Sequence, residues 1–271
     1  SRQSLLAAGA ALDTRFASLD GRLAELRDGV NQELTVTTEA VTTYARQIAE
    51  LNQRIVVARY SAGGQPPNDL MDQRDQLITE LNRQVRATVL EQDDGAYNVF
   101  IGNGQPLVAG SRAYALETMR DPLDPGRMTV AYRSAAGLTQ LPESALPGGR
   151  LGGLLAFRNQ SLEPAQNALG RVAVALAETF NAQHRLGQDL SGAAGVDFFG
   201  IGAPAVAAST RNTGNAAISG VYATDAAAAL TGSDYRLSYD GSDYTLTRLS
   251  DNSQQTFATL PQTIDGFTLD L

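Results

Sequence analysis

The 271 residues include no cysteine and no tryptophan, and a single histidine. Without cysteine there can be no disulfide, no thiolate nucleophile and no zinc–thiolate centre. His184 has no second histidine or cysteine with which to share a nucleophile or a transition metal, so triads and zinc sites lack parts. No indole is present to stack a sugar ring. Lysine is missing too: all 21 basic residues are arginine, which reads as a nucleotide-composition bias of the source. They are outnumbered by 29 acids, and the net charge of -8 supplies none of the positive field that nonspecific nucleic-acid binding requires. No apolar run approaches the roughly 18 residues of a membrane span, and no secretory leader is visible, so neither a membrane partner nor a cleaved signal peptide is expected.

What is present is organised by periodicity. No proline occurs before Pro66. Leu12, Phe16, Leu19, Leu23, Leu26, Val30, Leu34, Thr37, Val41, Tyr44, Ile48, Leu51 and Ile55 step by fours and threes. This is a coiled-coil seam with one stutter, at Val30 to Leu34. A helix over about 3–60 would span roughly 85 Å, more than an ordinary domain needs, and reads as a rod. Gly9, Gly21 and Gly29 each weaken it by around 1 kcal/mol, so partners must hold it. The opening residues read like the inside of a helix, as in a piece of a longer protein.

Ser61 to Pro67 is expected to be a hinge, with Asn68 or Asp69 capping a second helix over 68–85. Its Leu70, Leu77, Leu81 and Val85 would fold back on the first helix. Asp69, Asp72, Asp75 and Glu80 do not converge on one point and read as a solvated face. From about 86 to 133 the period changes to two. Short strands are separated by the turn pairs Asp94-Gly95, Asn103-Gly104 and Pro125-Gly126, giving a small antiparallel insertion. Helices are expected again at 150–160 and 164–186. Along the latter, Ala165, Leu169, Val172, Leu176, Phe180 and Gln183 form a stripe.

Residues 1–202 therefore read as a helical rod domain. Residues 203–271 read as a β-rich outer domain of hairpins, incomplete because its strands leave edges to cover. The fold class is α+β and multidomain: a long-helix bundle, a β insertion, then a mainly-β domain.

Searches for chemistry return little. His184 in the last turn of its helix suits the helix dipole. The stretch from Asp189 to Asp197 lacks the spacing and closing glutamate of a calcium loop. Gly102-x-Gly104 and Gly200-x-Gly202 lack the strand-to-helix context of a dinucleotide site. No catalytic residue, metal ligand or cofactor is assigned, and the chain is not expected to be an enzyme.

The most specific signal follows the last helix. Gly187 stands where a left-handed residue is expected, and a polar turn then returns Val196, Phe198 and Phe199 to apolar surface. Asn181, His184, Gly187, Asp189, Leu190, Gly192, Gly195, Asp197, Phe198 and Phe199 make the pattern N-x-x-H-x-x-G-x-D-L-x-G-x-x-G-x-D-F-F. This pattern resembles the hook-associated protein 1 (FlgK) family of the bacterial flagellum. Asn68 to Asn82 resembles that family's second-helix motif, and Tyr235 to Thr247 its outer β domain.

The resemblance implies a non-enzymatic structural subunit at the hook–filament junction, adapting hook to filament and required for filament assembly. It also implies self-assembly into a junction ring, with the hook protein and hook-associated protein 3 as partners of the full-length protein. The subunit would be extracellular, exported by the flagellar type III apparatus, with an export chaperone bound through a terminal segment. In the family, terminal helical segments form an inner tube. Both are lacking here, as is the returning helix of the rod domain, so the chain alone is expected to be a monomer. Two other readings remain open: a related junction protein or flagellin, and a glycan-binding adhesin or hydrolase carried on the outer domain.

Overall fold

The structure is a computed structural model and describes residues 2–61, 65–223 and 226–271. Two compact units emerge, Ser1–Glu25 with Gln160–Leu271, and Leu26–Asn159. Helix α1, Arg2–Ser61, contributes to both. Its 60 residues correspond to roughly 90 Å at 1.5 Å per residue. The middle of the expected hinge, residues 62–64, lies outside the described residues. Helix α2 is Asn68–Gln84, and its capping residue is Pro67, with no side-chain cap from Asn68 or Asp69. Pro67 offers its carbonyl to Leu70 and Met71, and the fixed φ of the two prolines leads straight into the helix.

In the second unit seven strands form two antiparallel sheets rather than one. The first takes β1 (Ala87–Glu91), β2 (Tyr97–Ile101), β3 (Gln105–Ala109) and β4 (Arg112–Ala113) in chain order. The second takes β5 (Ala115–Arg120), β6 (Met128–Ser134) and β7 (Gly137–Gln140), so the insertion runs past 133. All three expected turn pairs lie between paired strands. Strand β6 buries Thr129, Val130, Ala131 and Tyr132 in succession, which places both of its faces inside.

The seam of α1 behaves differently in its two halves. Val30, Leu34, Thr37, Val41, Ile48, Leu51 and Ile55 are buried, and Tyr44 is half-buried. Leu12, Phe16 and Leu23 are only half-buried, while Leu19 and Leu26 are 48% and 50% exposed. The seam, expected to need partners along its length, is therefore fully covered only in its second half. In the second unit, α1 is tied to the sheets as well as to α2, by polar side chains reaching the backbone of strands and of the turn before β6. Asn31 donates to the Gly126 carbonyl and accepts from Met128 N–H, and Thr42 does the same with the carbonyl and N–H of Leu116.

Helix α3, Gly149–Phe157, continues through a π turn, Arg158–Leu162, into α4, Glu163–Arg185. The expected break before Pro164 is absent. Pro164 lies in the first turn of α4, where its missing N–H costs little, and the π turn absorbs the register change. The buried face of α4 is Val174, Ala177 and Asn181, about one residue round from the expected stripe, whose Val172 is 52% exposed. Polar anchors set this rotation: Asn181 holds the following loop, and Glu178 accepts the N–H of Ala227.

The first unit also carries two three-stranded antiparallel sheets. One is ordered β11 (Gln254–Phe257), β10 (Tyr244–Arg248), β9 (Tyr235–Tyr239). The other is β12 (Gln262–Ile264), β13 (Phe267–Asp270), β8 (Ser219–Tyr222). Leu246, Phe267 and Leu269 form their shared core.

Candidate functional site

The residues of the spaced pattern converge on the C-terminal end of α4. Asn181 is fully buried and makes three hydrogen bonds. Its amide donates to the Phe199 carbonyl at 2.8 Å, and its carbonyl accepts from the N–H groups of Phe198 (2.8 Å) and Phe199 (2.9 Å). One side chain thus satisfies three main-chain groups of a segment that has no secondary structure of its own. The rings of Phe198 and Phe199 pack on Phe180, with centroids 4.9 and 5.3 Å away. His184 Nδ1 lies 2.6 Å from the Val196 carbonyl, and Arg185 pairs with Asp197 at 2.5 Å. That guanidinium, acting first by hydrogen bond, holds Asp197 below the usual carboxylate range.

Between these anchors the chain forms a short hairpin. Gln188 bridges Ala194, Asp189 N–H reaches the Ala193 carbonyl, and Gly195 N–H reaches that of Gly187. The Asp189 carboxylate accepts from Ala193 and Ser191 N–H, which lowers its pKa. The glycines divide the work in an unexpected way. The left-handed residue is Gly192, at φ +83°, not Gly187. At Gly195 a Cβ would collide with the His184 carbonyl, so close backbone approach requires glycine there. Val196, expected to return to apolar surface with the two phenylalanines, is 71% exposed, and Leu190 is 89% exposed.

A residue the sequence reading treated only as a helix weakener completes the joint. Gly9 on α1 is buried, and a Cβ there would lie 2.5 Å from Cε1 of Phe198, so the missing side chain is a socket for the ring. Because Phe198 and Phe199 are half-buried, truncation costs less than for a core phenylalanine. Phe199→Ala is expected to lose about 2 kcal/mol, read by thermal melting followed by circular dichroism. An unchanged melting temperature would place the ring outside the joint.

In the second unit a polar cluster is centred on Asn52 and Arg74, both buried. Asn52 donates to the carbonyls of Tyr97 and Gly110, each at 2.7 Å, and accepts from Tyr97 N–H and Arg74 Nη1. Arg74 also donates to the Gly95 carbonyl at 2.7 Å, and its Cζ lies 3.3 Å from the Tyr97 ring centroid. The guanidinium has no carboxylate partner among the described residues, and its Nε and Nη2 have no hydrogen-bond partner there. A fully buried cation held by carbonyls and a ring face is a fixed structural joint.

A second buried guanidinium, Arg158, starts the π turn. It donates to the Met128 carbonyl and to Glu143 Oε1, while Arg127 and Asn159 also bond Glu143. Burial pushes the Glu143 carboxyl up, but the Asn159 amide and the two arginines outweigh it and hold the group below 4.5. Folded Glu143 therefore binds a proton less readily than unfolded Glu143. Its contribution is complete above pH 4.5 and is lost as the pH falls through the folded value. The urea midpoints of the wild type and Glu143→Gln should accordingly differ at pH 7 and converge near pH 3. A difference independent of pH would contradict this assignment.

No group of three or more histidine, aspartate or glutamate side chains suited to a metal occurs among the described residues, and no described helix is long and apolar enough to cross a membrane. What the joints do is pin loops and strands to helices. Residues 1–199 match the model of the flagellar hook-associated protein FlgK helical domain, and residues 207–271 match the flagellar hook-associated protein 1, D2-like domain.

The chain belongs to the FlgK family.

Its similarity to individual FlgK proteins runs nearly end to end. It is 43% identical over 261 residues to flagellar hook-associated protein 1 of Escherichia coli K12, covering 96% of this chain and 47% of that protein. For the Salmonella typhimurium protein of the same name the values are 40% over 253 residues, 93% and 46%. The chain thus spans about half the length of the curated relatives it matches. The structure of the flagellar hook junction protein FlgK from Burkholderia pseudomallei superposes with a TM-score of 0.89 at 39% identity, covering 99% of this chain and 49% of that one. The FlgK fold class is α+β, with a long N-terminal helix followed by antiparallel sheets.

Proposed function

We propose that this FlgK chain is part of a non-enzymatic structural subunit at the hook–filament junction of the bacterial flagellum. The observation that carries the proposal is the match of residues 1–199 to the FlgK helical domain, whose side-chain clusters serve as joints. In this reading residues 1–202 are the rod domain and residues 203–271 belong to the outer domain. The joint from Asn181 to Phe199 is a structural clamp, holding the hairpin to α4 and to Gly9 of α1. The seam from Leu12 to Ile55 is the mechanical axis, and the half-exposed stretch up to Leu26 is left for partners in the assembled organelle.

The subunit self-assembles into the junction ring, with the hook protein and hook-associated protein 3 as neighbours of the full-length protein. It is extracellular, exported without signal cleavage and with a chaperone bound through a terminal segment. The chain alone is a monomer. Deletion of the parent gene should leave hooks in place but few attached filaments, with filament subunits released into the medium. Electron microscopy of the deletion strain and immunoblots of its culture supernatant make the test. Normal attached filaments would overturn the assignment.

A further inference from the structure

From Gly200 to Ile218 the chain runs without helix or strand and joins no sheet. Before it lie α4 and the loop held by Asn181, and after it lie the strands of the two outer sheets, β8 to β13. Its first residues are seated, for Pro204 and Val206 pass over Gly220 of β8, where a Cβ would stand 3.6 Å from each. Beyond them, residues 207–217 (AASTRNTGNAA) are exposed except for the half-buried Ser209. The turn at the centre of this stretch is closed by its own residues: Asn212 N–H donates to the Ser209 carbonyl and Arg211 N–H to Ser209 Oγ. Opening it breaks local bonds and uncovers little apolar surface, so it opens far below the cost of unfolding either neighbour.

A serine endoprotease takes its substrate as an extended strand, so the bonds around the cut must open first. In this lysine-free chain, a protease whose acidic pocket selects a cationic side chain has only arginine to choose. Among the described residues, the arginines outside helices and strands are Arg86, Arg127 and Arg211. Arg86 stands between Val85, whose N–H bonds the Leu81 carbonyl, and Ala87, whose N–H bonds Asn82 Oδ1. Arg127 is tied through its main chain to Asp121 and Asp124, and through its guanidinium to Glu143. Arg211 sits in the long exposed segment.

We propose that the Arg211–Asn212 peptide bond is a processing site for an arginine-specific serine endoprotease, cut before any other arginyl bond in these residues. The protease serine adds to the Arg211 carbonyl carbon, and its proton passes through the protease histidine to the Asn212 nitrogen. The C–N bond then breaks with Asn212 leaving as an amine, and water releases Arg211 as a carboxylate. The cut divides no helix and no strand. Each outer sheet keeps its three strands, and the shared core of Leu246, Phe267 and Leu269 stays whole. The severed sheets then hang on non-covalent contacts with α4, among them Glu178 with Ala227 N–H.

The test is a time course of dilute trypsin on the full-length parent protein, with the new chain ends mapped by mass spectrometry. Within residues 1–271, the first ends to appear should be the Arg211 carboxylate and the Asn212 amine. Arg211→Gln should slow the first cut in this stretch at least about tenfold, while Arg211→Lys, which keeps the cation, should be cut as the wild type is. Both variants should melt at the wild-type temperature, since residue 211 lies outside the core. A first cut after Arg59, Arg86 or Arg127 would overturn the inference, as would Arg211→Gln being cut at the wild-type rate. So would a segment 207–217 that stays intact while other bonds of this stretch are cut, because the rest of the full-length protein would then cover it. None of these outcomes bears on the junction assignment.

Discussion

Asn52→Ala should destabilise the second unit by about 4 kcal/mol, the largest effect expected of any single truncation in it. The substitution removes four hydrogen bonds at once. It strands the N–H and carbonyl of Tyr97, the carbonyl of Gly110 and one edge of the Arg74 guanidinium, all packed against a side chain that is 1% exposed. At roughly 2–4 °C per kcal/mol for a protein of this size, the far-UV melting transition should fall by on the order of 12 °C. The cause can be isolated by adding Arg74→Met. Replacing a buried cation that has lost its best acceptor by an apolar side chain should recover part of the loss. The double variant is expected to be more stable than the sum of the two singles predicts, by at least about 1 kcal/mol. Strict additivity would show that Arg74 and Asn52 act independently, contrary to their 3.1 Å contact.

Asn181→Leu should cost about 3 kcal/mol in the first unit. Leucine keeps nearly the same volume, so packing is spared, but two N–H groups and one carbonyl in the Phe198–Phe199 segment lose their partners. Hydrogen exchange gives the most local readout. The amides of Phe198 and Phe199 should exchange much faster in the variant, while those of β9 and β10 keep their wild-type rates. Unchanged protection at 198 and 199 would mean that something other than Asn181 holds the segment down.

These two asparagines also show where the sequence was readable and where it was not. The turn pairs Asp94-Gly95, Asn103-Gly104 and Pro125-Gly126 were legible because two-residue turn chemistry is local, and each sits between paired strands. The spaced pattern from Asn181 to Phe199 was legible as a family signal, but not its physics, since the left-handed glycine is Gly192 and Val196 is 71% exposed. Arg74 lies among acids, Asp69, Asp72, Asp75 and Glu80, that read as a solvated face. It nevertheless continues the step of Leu70, Leu77, Leu81 and Val85, four residues after the first of them. Asn52 likewise lies on a buried run of α1 through Leu34, Thr38, Val41, Ala45, Ile48 and Ile55. A polar residue inside a stripe looks like an interruption until its partners are known, and here those lie 45 and 58 residues along the chain at Tyr97 and Gly110. The same non-locality hid the role of Gly9, whose socket exists only because Phe198 returns to it. It also hid the π turn, which reconciles Pro164 with a continuous helical path.

The central claim, that this FlgK chain belongs to a structural subunit between hook and filament, is met most directly by electron cryo-microscopy of intact flagella from the source cells. The account predicts a ring of density between the hook and the filament into which the unit Leu26–Asn159 fits as one body, with its part of α1 and both of its sheets accounted for. Density at the junction that excludes this unit, or the unit found only along the filament or elsewhere on the cell, would contradict it.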